Sequence, residues 1–305
     1  MHKSPNVTAF LLAILATFLW SGNFIVARAA IEDISPIHLA FGRWLVASII
    51  MIPIGLAALR KEWPEVVKGK ANILLAGLFG VCIFNTIVYV AGHHSEAIQL
   101  ALLGTTSSPV FSFILARIFL KEAIPPRRVI GLLVCIAGIL FILSKGSLDT
   151  LLHLRFSPGD WWILLAAFAF AAYNIIVRGR PVKVGSVAYL SAVFFSGTIM
   201  LLPFAIADLA MGSTPNFNLP LAGMILYLGA GTSVAAFFCW NIAITRLGAA
   251  RASLFGMLIP VFSSIEAVWI LKEKMIFSQV IGMILVFGGV FLANVNPGKK
   301  KDQKG

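Results

Sequence analysis

The chain has 305 residues, of which 59% are hydrophobic and only 12% charged, and it carries a net charge of +12. Soluble domains run near half apolar and about a quarter charged, so this composition disfavours a soluble enzyme, which needs more charge to coat its surface. It also disfavours disorder, which requires low hydrophobicity. The basic excess would suit nucleic acid only if the charges were clustered on one face, so their positions have to be read.

The charges fall between apolar runs. A bilayer core about 30 Å thick takes roughly 20 apolar residues of helix. The first such run is Thr8 to Ala27, and further runs follow at about 38–59, 71–92, 97–120, 128–144, 160–177, 187–209, 221–245, 249–271 and 278–294. They leave only short loops, with no room for a soluble domain. The expected fold is therefore all-α, a polytopic membrane protein with ten transmembrane helices. Ala27-Arg28-Ala29 resembles a small-residue cleavage site, but the first run is long for a signal peptide and a related segment recurs later, so it is read as a retained helix. Cys82, Cys135 and Cys239 sit inside apolar runs without a paired spacing, which fits small packing residues rather than a disulfide or zinc site.

Orientation follows from the loop Lys and Arg. With the N-terminus in the cytoplasm, 18 of these residues fall on the cytoplasmic side and 6 on the other. This places both termini inside, with 296–305 as a basic cytoplasmic tail. The positive charge is then a topology signal, and no nucleic-acid partner is expected.

An internal repeat runs through the chain at a shift of 151 residues. Pro109-Val110-Phe111-Ser112 returns as Pro260-Val261-Phe262-Ser263, Leu120-Lys121-Glu122 as Leu271-Lys272-Glu273, and Asn23 as Asn174. Gly131 and Gly138 answer Gly282 and Gly289 at the same shift. Each repeat, 1–150 and 151–295, holds five runs. An odd number inverts the second copy relative to the first. Inverted repeats belong to secondary transporters, whose substrate lies near mid-membrane between the halves.

Leu19-Trp20-Ser21-Gly22-Asn23-Phe24, then Pro36, Arg43-Trp44, Pro109 and Lys121-Glu122, followed by Pro260, Lys272-Glu273, Gln279, Gly282 and Gly289, form an ordered set over about 8–295. This set resembles the drug/metabolite transporter superfamily, in its EamA-type branch. The resemblance implies ten helices in two inverted five-helix repeats, cytoplasmic termini in the inner membrane, and transport of small metabolites, often export. The chain departs from that pattern at Glu266, where such proteins carry an apolar residue, and has Arg128 where its second repeat has Gln279.

Mid-helix polar and aromatic residues are the candidate site. Pro109 and Pro260 free the carbonyls of Thr105 and Gly256, because proline cannot donate four residues back. Gly104-Thr105-Thr106-Ser107-Ser108 is polar for hydrocarbon, and irregular backbone at depth is tolerated only where protein or a cavity satisfies it. Trp20, Asn23 and Phe24 on helix 1, Asn85 and Tyr89 on helix 3, Thr105, Ser108 and Pro109 on helix 4, Tyr173 and Asn174 on helix 6, Trp240 and Asn241 on helix 8, and Pro260 on helix 9 are the expected substrate-binding residues; interhelical packing is the competing role for each amide.

Arg43 and Glu266 are intramembrane charges at matched depth, about 10 Å from one end of their helices at 1.5 Å per residue. They are read as a gating pair between helices 2 and 9, with Glu266 open to proton coupling; separate snorkelling is the alternative. His93-His94-Ser95-Glu96 is read as a wet turn rather than a metal site. The small stripes Gly131-Cys135-Gly138 and Gly282-Gly289-Ala293 are read as close-packing surfaces, and Glu122 and Glu273 as residues that orient turns or helix starts.

No phosphate-binding loop, GxSxG or HExxH occurs in the chain, which argues against a pump or an intramembrane protease. The expectation is a non-enzymatic carrier without metal or cofactor. It would export a small metabolite such as an amino acid or related compound by alternating access, as a monomer or homodimer in the lipid bilayer, with proton or counter-substrate coupling left open. An uncoupled facilitator or channel, or a non-transporting scaffold, is the alternative. The scarcity of fixed charge argues against a large polyanion as substrate.

Overall fold

The computed structural model describes residues 7–30, 32–94, 97–153, 157–270 and 276–294. Within them every regular element is helical. The long segments are α1 (Val7–Ala29), α2 (Pro36–Lys61), α3 (70–94), α4 (Ala97–Phe119), α5 (Pro126–Leu143), α6 (Pro158–Arg178), α7 (Ser186–Ala210), α8 (219–247), α9 (249–270) and α10 (Phe277–Asn294). Each coincides with an apolar run of the sequence. Among the described residues, seven are long and apolar enough to cross a membrane: α2, α3, α5, α6, α7, α8 and α10. Val7–Asn23 and Leu103–Phe119 are shorter apolar stretches.

Local chemistry sets where these helices begin. Proline opens α2, α5 and α6, where its missing N–H costs nothing and its fixed φ suits the first turn. Ser35 caps α2 by accepting from the His38 amide at 3.2 Å. Asn218 caps α8 by accepting from the Leu221 amide at 2.8 Å. At α6 the Asp160 carboxylate accepts from the Ser157 amide at 2.6 Å in a reciprocal capping box. Gly248, at φ +92°, makes the single-residue corner between α8 and α9. Glu122 accepts from the Ala249 amide there at 3.2 Å, so this glutamate orients a helix start. Glu273 lies outside the described residues.

The two halves interlock. α5 packs along α10 and α2 along α7, while α1 packs against α8 and α9, and α6 against α3 and α4. The first helix of each half is therefore seated in the other. At the α5–α10 seam, a Cβ added at Gly138 would fall 2.6 Å from the Gly282 carbonyl oxygen, and one at Gly131 equally close to that of Gly289. Cys135 donates through Sγ to the Val286 carbonyl at 3.4 Å. The small stripes thus pack against each other within one chain.

Two helices depart from α geometry at repeat-equivalent places. α3 is π-helical over Leu78–Ile83 and α8 over Tyr227–Ala235. A π turn inserts a residue and breaks the regular ladder, which leaves carbonyls for side chains to use. The proline helices are less alike. α4 runs α-helical through Pro109, whereas α9 is 3-10 over Leu254–Leu258, just before Pro260.

Candidate functional site

Residues of both halves line a cavity with an empty volume of about 710 Å³, counted with its mouth. α1 contributes Trp20 and Asn23, α2 Arg43, α3 Phe84, Asn85 and Val88, and α4 Gly104, Thr105, Ser108 and Pro109. From the second half, α6 adds Ile163, Ala167 and Phe170, and α9 adds Ser253, Gly256 and Ile259. The space comes from small residues. A Cβ at Gly256 would meet nothing within 4 Å, whereas one at Gly104 would press the Ile163 side chain at 3.3 Å.

Aromatic rings build one wall in two layers. Trp20 and Phe170 face the cavity with ring centroids 5.5 Å apart, and Phe84 lies 4.7 Å from Phe170. Behind them Trp20 meets Trp240 at 5.0 Å and Phe237 at 5.7 Å, mostly edge to face, the geometry favoured by ring quadrupoles. The Trp20 indole N–H donates to the Thr232 carbonyl at 2.8 Å. That carbonyl belongs to the π segment of α8, so the backbone irregularity holds a cavity residue.

Arg43 is the polar hub. It is 1% exposed. Its Nε donates to Ser233 Oγ at 2.6 Å, Nη1 to Asn23 Oδ1 and to Tyr89 Oη at 3.0 Å each, and Nη2 to the Thr232 carbonyl at 3.3 Å. Tyr89 donates onward to Asn23 Oδ1 at 3.3 Å. The π segment of α3 acts likewise: Asn85 Nδ2 donates to the Gly80 carbonyl at 3.1 Å.

Comparison with known proteins settles the class. The model of the EamA-like transporter family matches residues 7–144 and again 157–295. The chain belongs to the EamA-like transporter family. An uncharacterized transporter of Archaeoglobus fulgidus is 28% identical over 295 residues, covering 94% of this chain and 97% of its own. The uncharacterized transporter YyaM of Bacillus subtilis is 27% identical over 96% of this chain and 94% of its own. A probable terminal-alkyne amino-acid exporter of Streptantibioticus cattleyicolor is 26% identical, covering 96% and 95%. A solved crystal structure at 20% identity superposes with a TM-score of 0.74 over 94% of this chain and 96% of its own, a likeness of fold. The family and the apolar helices make this a multi-pass membrane protein of the transporter class.

On this EamA-like scaffold the expected site residues divide. Trp20, Asn23, Arg43, Asn85, Thr105, Ser108 and Pro109 line the cavity. Tyr89 stands behind them and holds Asn23 and Arg43. Four residues expected at the substrate are instead packed away. Asn174 continues the stripe Ile163, Ala167, Phe170 one turn further along α6, but the Trp240 indole donates to its Oδ1 at 2.9 Å and seals it. Tyr173 Oη accepts from Asn241 Nδ2 at 2.7 Å. All four are fully buried and join α6 to α8 as interhelical glue. Pro260 is buried in α9 outside the cavity lining, which Gly256 reaches instead. The Phe24 side chain lies outside the described residues, as do Ser95 and Glu96 of the histidine turn. Among the described residues no group of three or more His, Cys, Asp or Glu could hold a metal ion.

Arg43 and Glu266 form no ion pair. Every Arg43 partner is a neutral acceptor, and Glu266 Oε1 accepts from Ser21 Oγ at 2.6 Å on α1. Glu266 Oε2 is buried without a hydrogen-bond partner. The π turn of α8, Asn23 of α1 and Tyr89 of α3 hold the guanidinium, so matched depth did not imply contact.

Sequence reasoning missed the apolar lining from Phe84, Val88, Ile163, Ala167, Phe170 and Ile259 and the small residues Gly104, Ser253 and Gly256. Residues 163, 167 and 170 follow the i, i+4, i+7 spacing of one helix face. That signal also fits any packed face, and only the placement of the other helices distinguishes the two.

Proposed function

We propose that this chain is a secondary transporter that moves a small metabolite across the cytoplasmic membrane by alternating access. Ten spans in two inverted five-helix repeats, with both termini and the 296–305 tail cytoplasmic, are the arrangement we infer from the charge bias and the 151-residue repeat. The observation that carries the reading is the position of the cavity. It is walled by α1 to α4 of the first half and by α6 and α9 of the second, so a change in how the halves sit would change which side it opens to.

An amino acid or related compound, moved outward, is the substrate class we favour. The apolar and aromatic wall suits such a body, and a relative is named a probable terminal-alkyne amino-acid exporter. Glu266, with one oxygen held by Ser21 and the other without a partner, is the candidate for proton coupling; Arg43 positions the cavity wall. Counter-substrate coupling fits the same scaffold. Counterflow in proteoliposomes tests the reading. A carrier gives saturable accumulation driven by unlabelled solute on the other side. Conductance without counterflow would identify a facilitator or channel, and neither would identify a scaffold.

A further inference from the structure

The cavity contains a charge that forms no ion pair among the described residues. Arg43 is the charged residue among those lining it, and among the described residues no carboxylate lies within 4.0 Å of its guanidinium. Its four hydrogen bonds go to two hydroxyls, an amide oxygen and a backbone carbonyl. These hold the guanidinium in place and leave one Nη2 hydrogen over from its five donors. A buried cation with only neutral partners is costly until an anion reaches it. Asn85 and Ser108 line the same cavity, beside Asn23, Thr105 and Ser253. Asn85 spends one amide hydrogen on Gly80, and the Ser108 hydroxyl has no protein partner among the described residues. The remaining large side chains of the lining are apolar or aromatic: Trp20, Phe84, Val88, Ile163, Phe170 and Ile259.

We propose that this cavity recognises a monocarboxylate with an apolar body, its carboxylate at Arg43 and its body against the Trp20–Phe170 wall. Guanidinium and carboxylate are complementary in charge, and the remaining Nη2 hydrogen can donate one charge-assisted bond to a carboxylate oxygen. An ammonium group finds no carboxylate in the lining and is repelled by Arg43, so cations are rejected and a zwitterion binds more weakly than the carboxylate of the same shape. This rests on the reading of the cavity as the transport site and narrows its substrate within the compounds related to amino acids.

The test uses the purified full-length protein in detergent and four solutes of one shape: 3-phenylpropionate, 3-phenylpropionamide, L-phenylalanine and 3-phenylpropylamine. Binding to the folded state raises the thermal midpoint with ligand concentration. The expected result is a rise with 3-phenylpropionate at a concentration at least about tenfold below that needed for the other three. Arg43→Gln should abolish it. Because that change also removes four interhelical hydrogen bonds, Asn85→Asp is the second variant. It places a carboxylate in the lining without touching an Arg43 bond, losing only the bond Asn85 donates to Gly80, and should weaken 3-phenylpropionate at least about tenfold and favour 3-phenylpropylamine. Equal stabilisation by the amide, phenylalanine or amine overturns the inference, as does equal stabilisation by chloride or inorganic phosphate alone, an unchanged response in Asn85→Asp, or no response to any solute. Counterflow separates the two readings. Saturable counterflow of phenylalanine or the amine without anion binding keeps the transporter and overturns this inference. Anion binding without counterflow of any solute keeps this inference and overturns the transporter.

Discussion

Asn23 and Asn174 occupy the same place in the two repeats, and each accepts a hydrogen bond from the residue 66 positions further on: Tyr89 at 3.3 Å and Trp240 at 2.9 Å. Around them the halves diverge. Beside Asn23 stands Arg43, bonded to α1, α3 and α8, and the cluster borders the cavity. The position equivalent to Arg43 is Phe194, which packs on Trp44 and Phe237 at 5.0 and 5.9 Å, and the Asn174 cluster is fully buried. One duplicated framework thus holds a polar hub on one side and an aromatic plug on the other. Duplication preserved how the helices are joined, while substitution at a few positions decided what each half presents to the cavity.

The comparison can be broken most severely where the halves remain equivalent. Gly138→Leu and Gly289→Leu both drive a side chain into backbone at the α5–α10 seam. Each should cost about 3 kcal/mol or more, seen as loss of the folded peak in size-exclusion and thermal unfolding, and the two losses should match. Unequal losses would mean the seam is less symmetric than its contacts.

Next in size is the exchange of roles at the divergent position. Arg43→Gln should lower counterflow per folded molecule by more than about tenfold, or about 1.4 kcal/mol. Phe194→Leu, a near volume-conserving change, should cost less than about 1.5 kcal/mol of stability and leave counterflow intact. If both variants lose transport equally, the polar hub and the aromatic cluster serve the site alike.

Smaller effects should follow at the paired amides. Asn174→Ala leaves the buried Trp240 indole without its acceptor, a loss of about 1–3 kcal/mol in thermal unfolding, with counterflow retained. Asn23→Ala should reduce counterflow more than stability, because it loosens the hub at the cavity edge.

The smallest change is expected at Glu266. Glu266→Gln keeps an oxygen for the bond from Ser21 and removes a charge whose second oxygen is buried and unpaired, so thermal stability should hold or rise, by up to about 1 kcal/mol. If Glu266 couples protons, transport by the parent protein changes with pH and that of the variant does not. A pH profile unchanged by the substitution would remove Glu266 from the mechanism.

Much of the helical layout was legible in the chain. Apolar runs located the long helices, since the length of a run and its charged ends are local properties. The 151-residue repeat predicted paired surfaces, and Gly131, Gly138, Gly282 and Gly289 meet across α5 and α10. The π segments of α3 and α8 were not legible, because a change of hydrogen-bond register leaves no fixed residue pattern. The site was half legible. Polar residues such as Asn85 and Ser108 stood out against hydrocarbon and do line the cavity, but Asn174 and Asn241 stood out equally and are buried glue.

The amino-acid sequence alone determined the helical, membrane-spanning class, the duplication and the family pattern, all of which follow from composition and spacing along one dimension. Tertiary structure decided which face of each helix meets the cavity, that Arg43 is held by neutral partners, and that Glu266 stands apart from it. Those outcomes depend on the crossing of helices from opposite halves, and residues far apart in the chain compete for the same guanidinium. Thr232 and Ser233, supplied by the π turn of α8, reached it where a carboxylate did not.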